Sequence, residues 1–206
     1  MIRGGVTQSV ALEHSYGQGY PTSLMGAVAL VRQTLLDAQW HAEAQAQYDA
    51  HPTKLARPET NSALAALAPV VRAEQMVLFD LADEVETVRV TKIAQEFKLK
   101  FALRGTGYEY RVLPSIKAAA VPVILPLDFP DAPIIEDPVA ARDVPLPELE
   151  HWELAPTNAG RLAAAGVPVI LTSSGLKKPE ANFWPRVRRA VQGGLAESEA
   201  LAALTR

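Results

Sequence analysis

The stretch Ala163–Leu204, AAAGVPVILTSSGLKKPEANFWPRVRRAVQGGLAESEALAAL, decides the fold. Its alanines close a helix, and Gly166 can leave that helix with positive φ. Val167–Leu171 is a short run of β-branched and leucine residues, the mark of a strand buried on both faces. A polar strand end follows at Thr172–Gly175, and two short helical patterns complete the unit. Helix, turn, buried strand, polar loop and helix together read as one β/α unit of a parallel sheet.

Upstream, the same arrangement recurs. Apolar runs at Met76–Phe79, Leu99–Leu103 and Val121–Leu125 alternate with amphipathic stretches at Val85–Phe97, Tyr108–Ala119 and Pro147–Ala165. The first three runs repeat at about 22 residues, close to the minimum for a β/α unit. A proline-rich insertion, Pro126–Pro147, delays the fourth, and it follows a strand end, where function usually resides. Before all this lie a short apolar alternation (Val6, Val10, Leu12) and a glycine-containing turn. A long helix is then expected from about Ser23 to Ala50, capped by Thr22 or Ser23, and a second from about Asn61 to Arg72. The expected class is α/β. About four parallel β/α units form either a small open sheet or part of a TIM-type barrel, preceded by a helical segment. Residues 1–60 hold the N-terminal strand, turn and long helix, and residues 61–206 hold the half-barrel. An open half-barrel exposes two strand edges, so the remainder of the barrel or a second copy of the chain is the expected partner.

Composition narrows the function classes. The 206 residues are 49% hydrophobic and 21% charged, as in an ordinary globular domain. A net charge of −3 gives no reason to expect nucleic acid or an acidic membrane, and the Arg186, Arg188, Arg189 cluster reads as a solvated helix face. The absence of cysteine removes disulfides, thiolate metal sites and cysteine nucleophiles. With no membrane-length apolar run and no signal-peptide core at Met1–Gly5, the default compartment is the cytoplasm.

Several segments resemble the metal-dependent amidohydrolases, particularly the imidazolonepropionase-like group. Tyr20-Pro21-Thr22-Ser23-Leu24-Met25-Gly26 with Arg32-Gln33 resembles that group's helix entry. Ile93–Lys100 is similar to the passage into the sixth barrel strand, and Ala165–Val169 with Glu199–Thr205 to the eighth strand and closing helix. The resemblance implies barrel strands 5–8 and metal-assisted hydrolysis. In that chemistry zinc or iron, held by histidines and an eighth-strand aspartate, activates a water. At the matching positions this chain carries Asp80, Arg104 and Ser174. Arginine has no lone pair and repels a divalent ion. No metal or other cofactor is therefore expected for this chain, and the three residues mark a vestigial site. Asp80 and Arg104 can form a salt bridge joining strand ends, or Arg104 can anchor an anion or substrate pocket.

Other features carry simple readings. His14, His41, His51 and His151 show no metal spacing, and surface or capping roles suit them. His14, beside Glu13 and a glycine-containing turn, is the one with a functional alternative. Ser173-Ser174 lacks a nucleophile elbow. Gly105-Thr106-Gly107 offers either an anion-binding turn or a tight turn. Trp40, Trp152 and Trp184 read as packing residues, with Phe183-Trp184 on a loop at the rim. Ala196 stands where Ser or Thr would cap the last helix. Two functions follow. The chain is a catalytically degenerate amidohydrolase-like part of a larger hydrolase, structural or ligand-binding. Alternatively, it belongs to an active hydrolase of amide or cyclic amide bonds whose ligands come from an N-terminal half. An open α/β binding module is the third option.

Overall fold

The computed structural model describes residues 6–15, 17, 19–133 and 142–205. Five strands, β1 (Thr7–Ala11), β2 (Met76–Asp80), β3 (Phe101–Arg104), β4 (Val123–Pro126) and β5 (Val169–Thr172), run in sequence order through one sheet. The registers are parallel, pairing Thr7 with Met76, Leu103 with Val123 and Val123 with Val169. The class is thus α/β with parallel β/α units, as the buried apolar runs predict, and the N-terminal alternation supplies a fifth strand. No helix among the described residues is long and apolar enough to cross a membrane.

The chain divides into two compact units. One comprises the described residues up to Asp80 together with Arg89–Phe101. The other comprises Leu81–Val88 and the described residues from Ala102 onward.

In the first unit, α1 (Leu24–Ala50) starts where the capping signal places it. Ser23 Oγ accepts from the Gly26 N–H at 3.2 Å, satisfying one of the orphan donors of the first turn. Tyr20 donates its hydroxyl to Gly26 O at 2.9 Å, and a Cβ on Gly26 would approach Pro21 and Tyr20 at 3.2 Å. These contacts hold Tyr20 and Pro21 against the first turn of α1. α2 (Ser62–Val71) is capped in the same way by Asn61, which accepts from Leu64 N–H. Leu35, Ala38, Val70, Val77 and Phe79 are buried, and Phe79 meets Phe101 edge to face at 5.9 Å between centroids. At the surface, Arg32 and Glu96 pair at 2.8 Å.

The second unit carries α4 (Leu113–Ala119), α5 (Leu146–Leu154), α6 (Asn158–Ala164), α7 (Pro179–Gln192) and α8 (Glu197–Thr205); α3 (Glu86–Glu96) begins in it. Its core is Leu103, Ile116, Val123, Leu125, Leu162 and Leu195, all nearly fully buried. A Cβ on Gly160 would lie 2.7 Å from the Gly194 carbonyl carbon, so α6 can touch the turn after α7 only as glycine. Two expected helices are broken. Pro156 has no N–H to extend α5, and a 3₁₀ turn at Ala155–Thr157 separates it from α6. Likewise the stretch expected to be one helix from Tyr108 opens with a 3₁₀ turn, Glu109–Arg111, before α4. Phe183 and Trp184 belong to α7 rather than to a loop. The centre of the Pro126–Pro147 insertion lies outside the described residues.

Candidate functional site

Asp80, Arg104 and Ser174, the residues expected at a vestigial site, each stand at or just beyond the C-terminal end of a strand. Asp80 ends β2, and its carboxylate accepts a 2.5 Å hydrogen bond from Ser9 Oγ on β1. Arg104 ends β3 and is exposed. Ser174, two residues beyond β5, is exposed, and its N–H donates to Thr172 Oγ1 at 3.2 Å. A divalent ion needs several lone pairs converging on one point. Taken one by one, Asp80 offers a carboxylate already engaged by a hydroxyl, Ser174 offers a hydroxyl, and Arg104 has no lone pair, which is a poor match to that need.

The loop after β3 resolves the choice posed by Gly105-Thr106-Gly107. Its N–H groups do cradle an anion, and the anion is the chain's own Glu109. That carboxylate, 1% exposed, accepts from Thr106 N–H at 2.5 Å, Gly107 N–H at 3.1 Å and Asn158 Nδ2 at 2.6 Å. Asn158 also donates to Gly107 O at 3.1 Å, tying α6 to the loop. Gly107 has φ +93°, and a Cβ on Gly105 would collide with the Glu109 carboxylate. An external phosphate or carboxylate therefore finds the turn occupied.

Held by this knot, Tyr108, Tyr110 and Arg111 face α5. Tyr108 stacks on His151 with centroids 3.7 Å apart and planes 13° from parallel, and Tyr110 Oη lies 3.1 Å from His151 Nδ1. The Arg111 guanidinium lies 4.7 Å over the Tyr108 ring and contacts Glu84 at 3.3 Å. Burial lowers the His151 pKa below its ordinary value, and the Arg111 charge pushes the same way; Glu84 opposes it. His151 is accordingly neutral at pH 7. Burial raises the Tyr110 pKa, so its hydroxyl stays protonated.

A cavity of about 540 Å³ opens beside this stack, at the C-terminal ends of β3, β4 and β5. Thr106, Tyr108, Asp128, Phe129, Asp131, His151, Lys177, Asn182 and Arg186 line it, with Pro130 and Leu176. The size suits a small organic ligand. Arg186 donates to Phe129 O at 2.7 Å and to Asp131 at 3.2 Å, so it is half-buried and structural rather than part of a solvated face. Arg189 approaches the Phe129 ring at 5.9 Å, which leaves Arg188 as the exposed member of the cluster.

Among the histidines, His41 is buried on α1, His51 caps the end of that helix, and His14 is half-buried. His151 is the one that joins a cavity, which residue spacing had not signalled. Trp40 and Trp184 are 65% and 56% exposed, so the packing role expected for them does not hold. Ser173, with Phe183 and Trp184, lines a separate cavity of about 450 Å³ at the end of β5.

No family model matches this chain, and no curated protein matches it. A solved structure that does match is a crystal structure of an amidohydrolase from Thermotoga maritima MSB8. The two share 15% sequence identity and superpose with a TM-score of 0.74 over 98% of this chain and 50% of that one. The chain thus spans half the length of that structure. At this identity the likeness is one of fold: parallel β/α units consistent with a partial β/α barrel.

Proposed function

We propose that this chain is a catalytically degenerate, imidazolonepropionase-like half-barrel, without a metal site of its own, that serves a larger hydrolase as a structural or ligand-binding part. One observation carries the reading. At the strand ends that the family resemblance matches to metal ligands, this chain has Asp80, Arg104 and Ser174, and an arginine has no lone pair to give a cation. The fold-level match to an amidohydrolase over half of that protein's length supports the comparison of strand ends. β1 and β5 are the end strands of the sheet, each with a backbone edge toward which the remainder of a barrel, or a second copy of the chain, can add strands.

The test is metal analysis. The purified chain is incubated with zinc or ferrous ion, desalted and measured by elemental mass spectrometry. The expected result is well below one ion per chain. A stoichiometric ion that is lost in the Asp80→Ala variant would overturn the proposal and restore a hydrolytic metal centre.

A further inference from the structure

We propose that the 540 Å³ cavity at the ends of β3–β5 binds an α-amino acid with an apolar side chain in its zwitterionic form, Asp128 taking the ammonium and Lys177 the carboxylate. The inference is independent of the metal question.

The walls of the cavity are fixed before any ligand arrives. Glu109 pins the loop after β3 through Thr106 and Gly107, and Arg186 on α7 pins the loop after β4 through Phe129 O. Asn182, also on α7, donates to Lys177 O at 2.5 Å and pins the loop after β5. Three strand-end loops are each tied by a side chain to backbone, so little ordering entropy remains to be lost on binding.

Within these walls most polar groups are already engaged, and two opposite charges are not. Asp128 and Lys177 line the same cavity and are exposed to it. Neither forms an ion pair among the described residues, with each other or with anything else. Asp128 lies against the backbone of Gly175, where a Cβ would come within 3.2 Å of its Oδ2. Gly175 thus brings the carboxylate close to the loop that carries Lys177, while the two charges stay beyond direct contact. The two unpaired charges of one cavity call for a ligand that carries both an ammonium and a carboxylate, and an α-amino acid is the smallest such ligand. Tyr108 and His151, stacked on each other, add flat rings and a neutral imidazole to the lining, suited to an apolar side chain.

The experiment titrates the full chain, in the presence of a chelator, with L-phenylalanine, N-acetyl-L-phenylalanine and L-phenylalaninamide, read by calorimetry and by protein amide shifts. The proposal expects phenylalanine to bind about tenfold tighter than either probe that lacks one charge. Asp128→Asn should weaken phenylalanine roughly tenfold and leave the acetylated probe unchanged; Lys177→Met should do the same with the amide probe as its unaffected control. Both side chains are exposed, so the variants fold. Equal affinity for the three probes, wild-type affinity in both variants, or no saturable binding at about 10 mM overturns the proposal. A negative result leaves the metal reading intact, and a bound metal leaves this one intact.

Discussion

Two cavities in this molecule are built from the same kind of β/α unit and share almost no chemistry. In the first unit a space of about 260 Å³ lies between the sheet and the helices, lined by Val10, Val31, Leu35, Leu67, Val77 and Phe79 among others, with Gln8 and Thr34 as its polar members. Thr34 turns its hydroxyl to Leu30 O at 2.8 Å, so the lining stays apolar. In the second unit the 540 Å³ space at the strand ends carries carboxylates, cations and a histidine. The difference lies in where on the unit each cavity falls. Strand side chains that face helices must be apolar to be buried, whereas loops beyond the strand ends are wet and can carry charge without large desolvation costs. The first is an apolar groove that opens to solvent beside Leu30; the second is a place for chemistry.

The strongest way to break this contrast is to remove the knot behind the polar cavity. Glu109→Ala leaves Thr106 N–H, Gly107 N–H and Asn158 Nδ2 without their acceptor in a buried place. It should cost roughly 3 kcal/mol or more in urea unfolding. A loss below about 1 kcal/mol would mean that water replaces the carboxylate and that the loop is not held by it. On the apolar side, Val77→Ala enlarges a space that already exists and should cost about 2 kcal/mol, with no change in any ligand titration at the strand ends. If it altered those titrations, the two cavities would not be separate in function.

A smaller effect concerns acid. His151 has a lowered pKa, so in the folded state it stays neutral while the unfolded chain takes up a proton below its ordinary value of 6.5. Stability is therefore complete above about pH 6.5 and falls as pH drops through the window beneath it. In His151→Gln that part of the slope should vanish, as unfolding curves at several pH values would reveal. An imidazole shift titrating at or above the ordinary value in the wild type would contradict the burial assigned to this ring. The smallest effect belongs to the exposed Arg32–Glu96 pair of the first unit. Glu96→Gln should change stability by less than about 0.5 kcal/mol, and still less in high salt.

Much of the architecture was readable because strand burial writes itself into short apolar runs and helix starts into Ser23 and Asn61. The errors have local causes. The fourth and fifth strands begin at Val123 and Val169, two residues later than the runs Val121–Leu125 and Val167–Leu171 suggest. Pro122 and Pro168 lend their carbonyls to Leu103 and Val123 but have no N–H to give, so the ladder starts after them. Pro156 broke a helix whose apolar period ran straight through it. The strand-end cavity was hidden for a different reason. Tyr108, Asp128, His151 and Lys177 come from four separate segments, and no spacing along the chain connects them. Glu109 was equally silent, since a glutamate after a glycine turn carries no mark that its target is three residues away in its own backbone.

That glutamate has a consequence for the history of the fold. Gly105 must lack a side chain because Glu109 occupies the space, and Asn158, on a helix nearly fifty residues downstream, completes the arrangement. None of the three can be exchanged alone without a collision, an abandoned donor or an acceptor left short. Among relatives of this chain, they should be inherited as one unit, Gly, Glu and Asn together. A lineage that gives up the glutamate would be free to accept any residue at the glycine and would regain an empty cradle for an anion from outside.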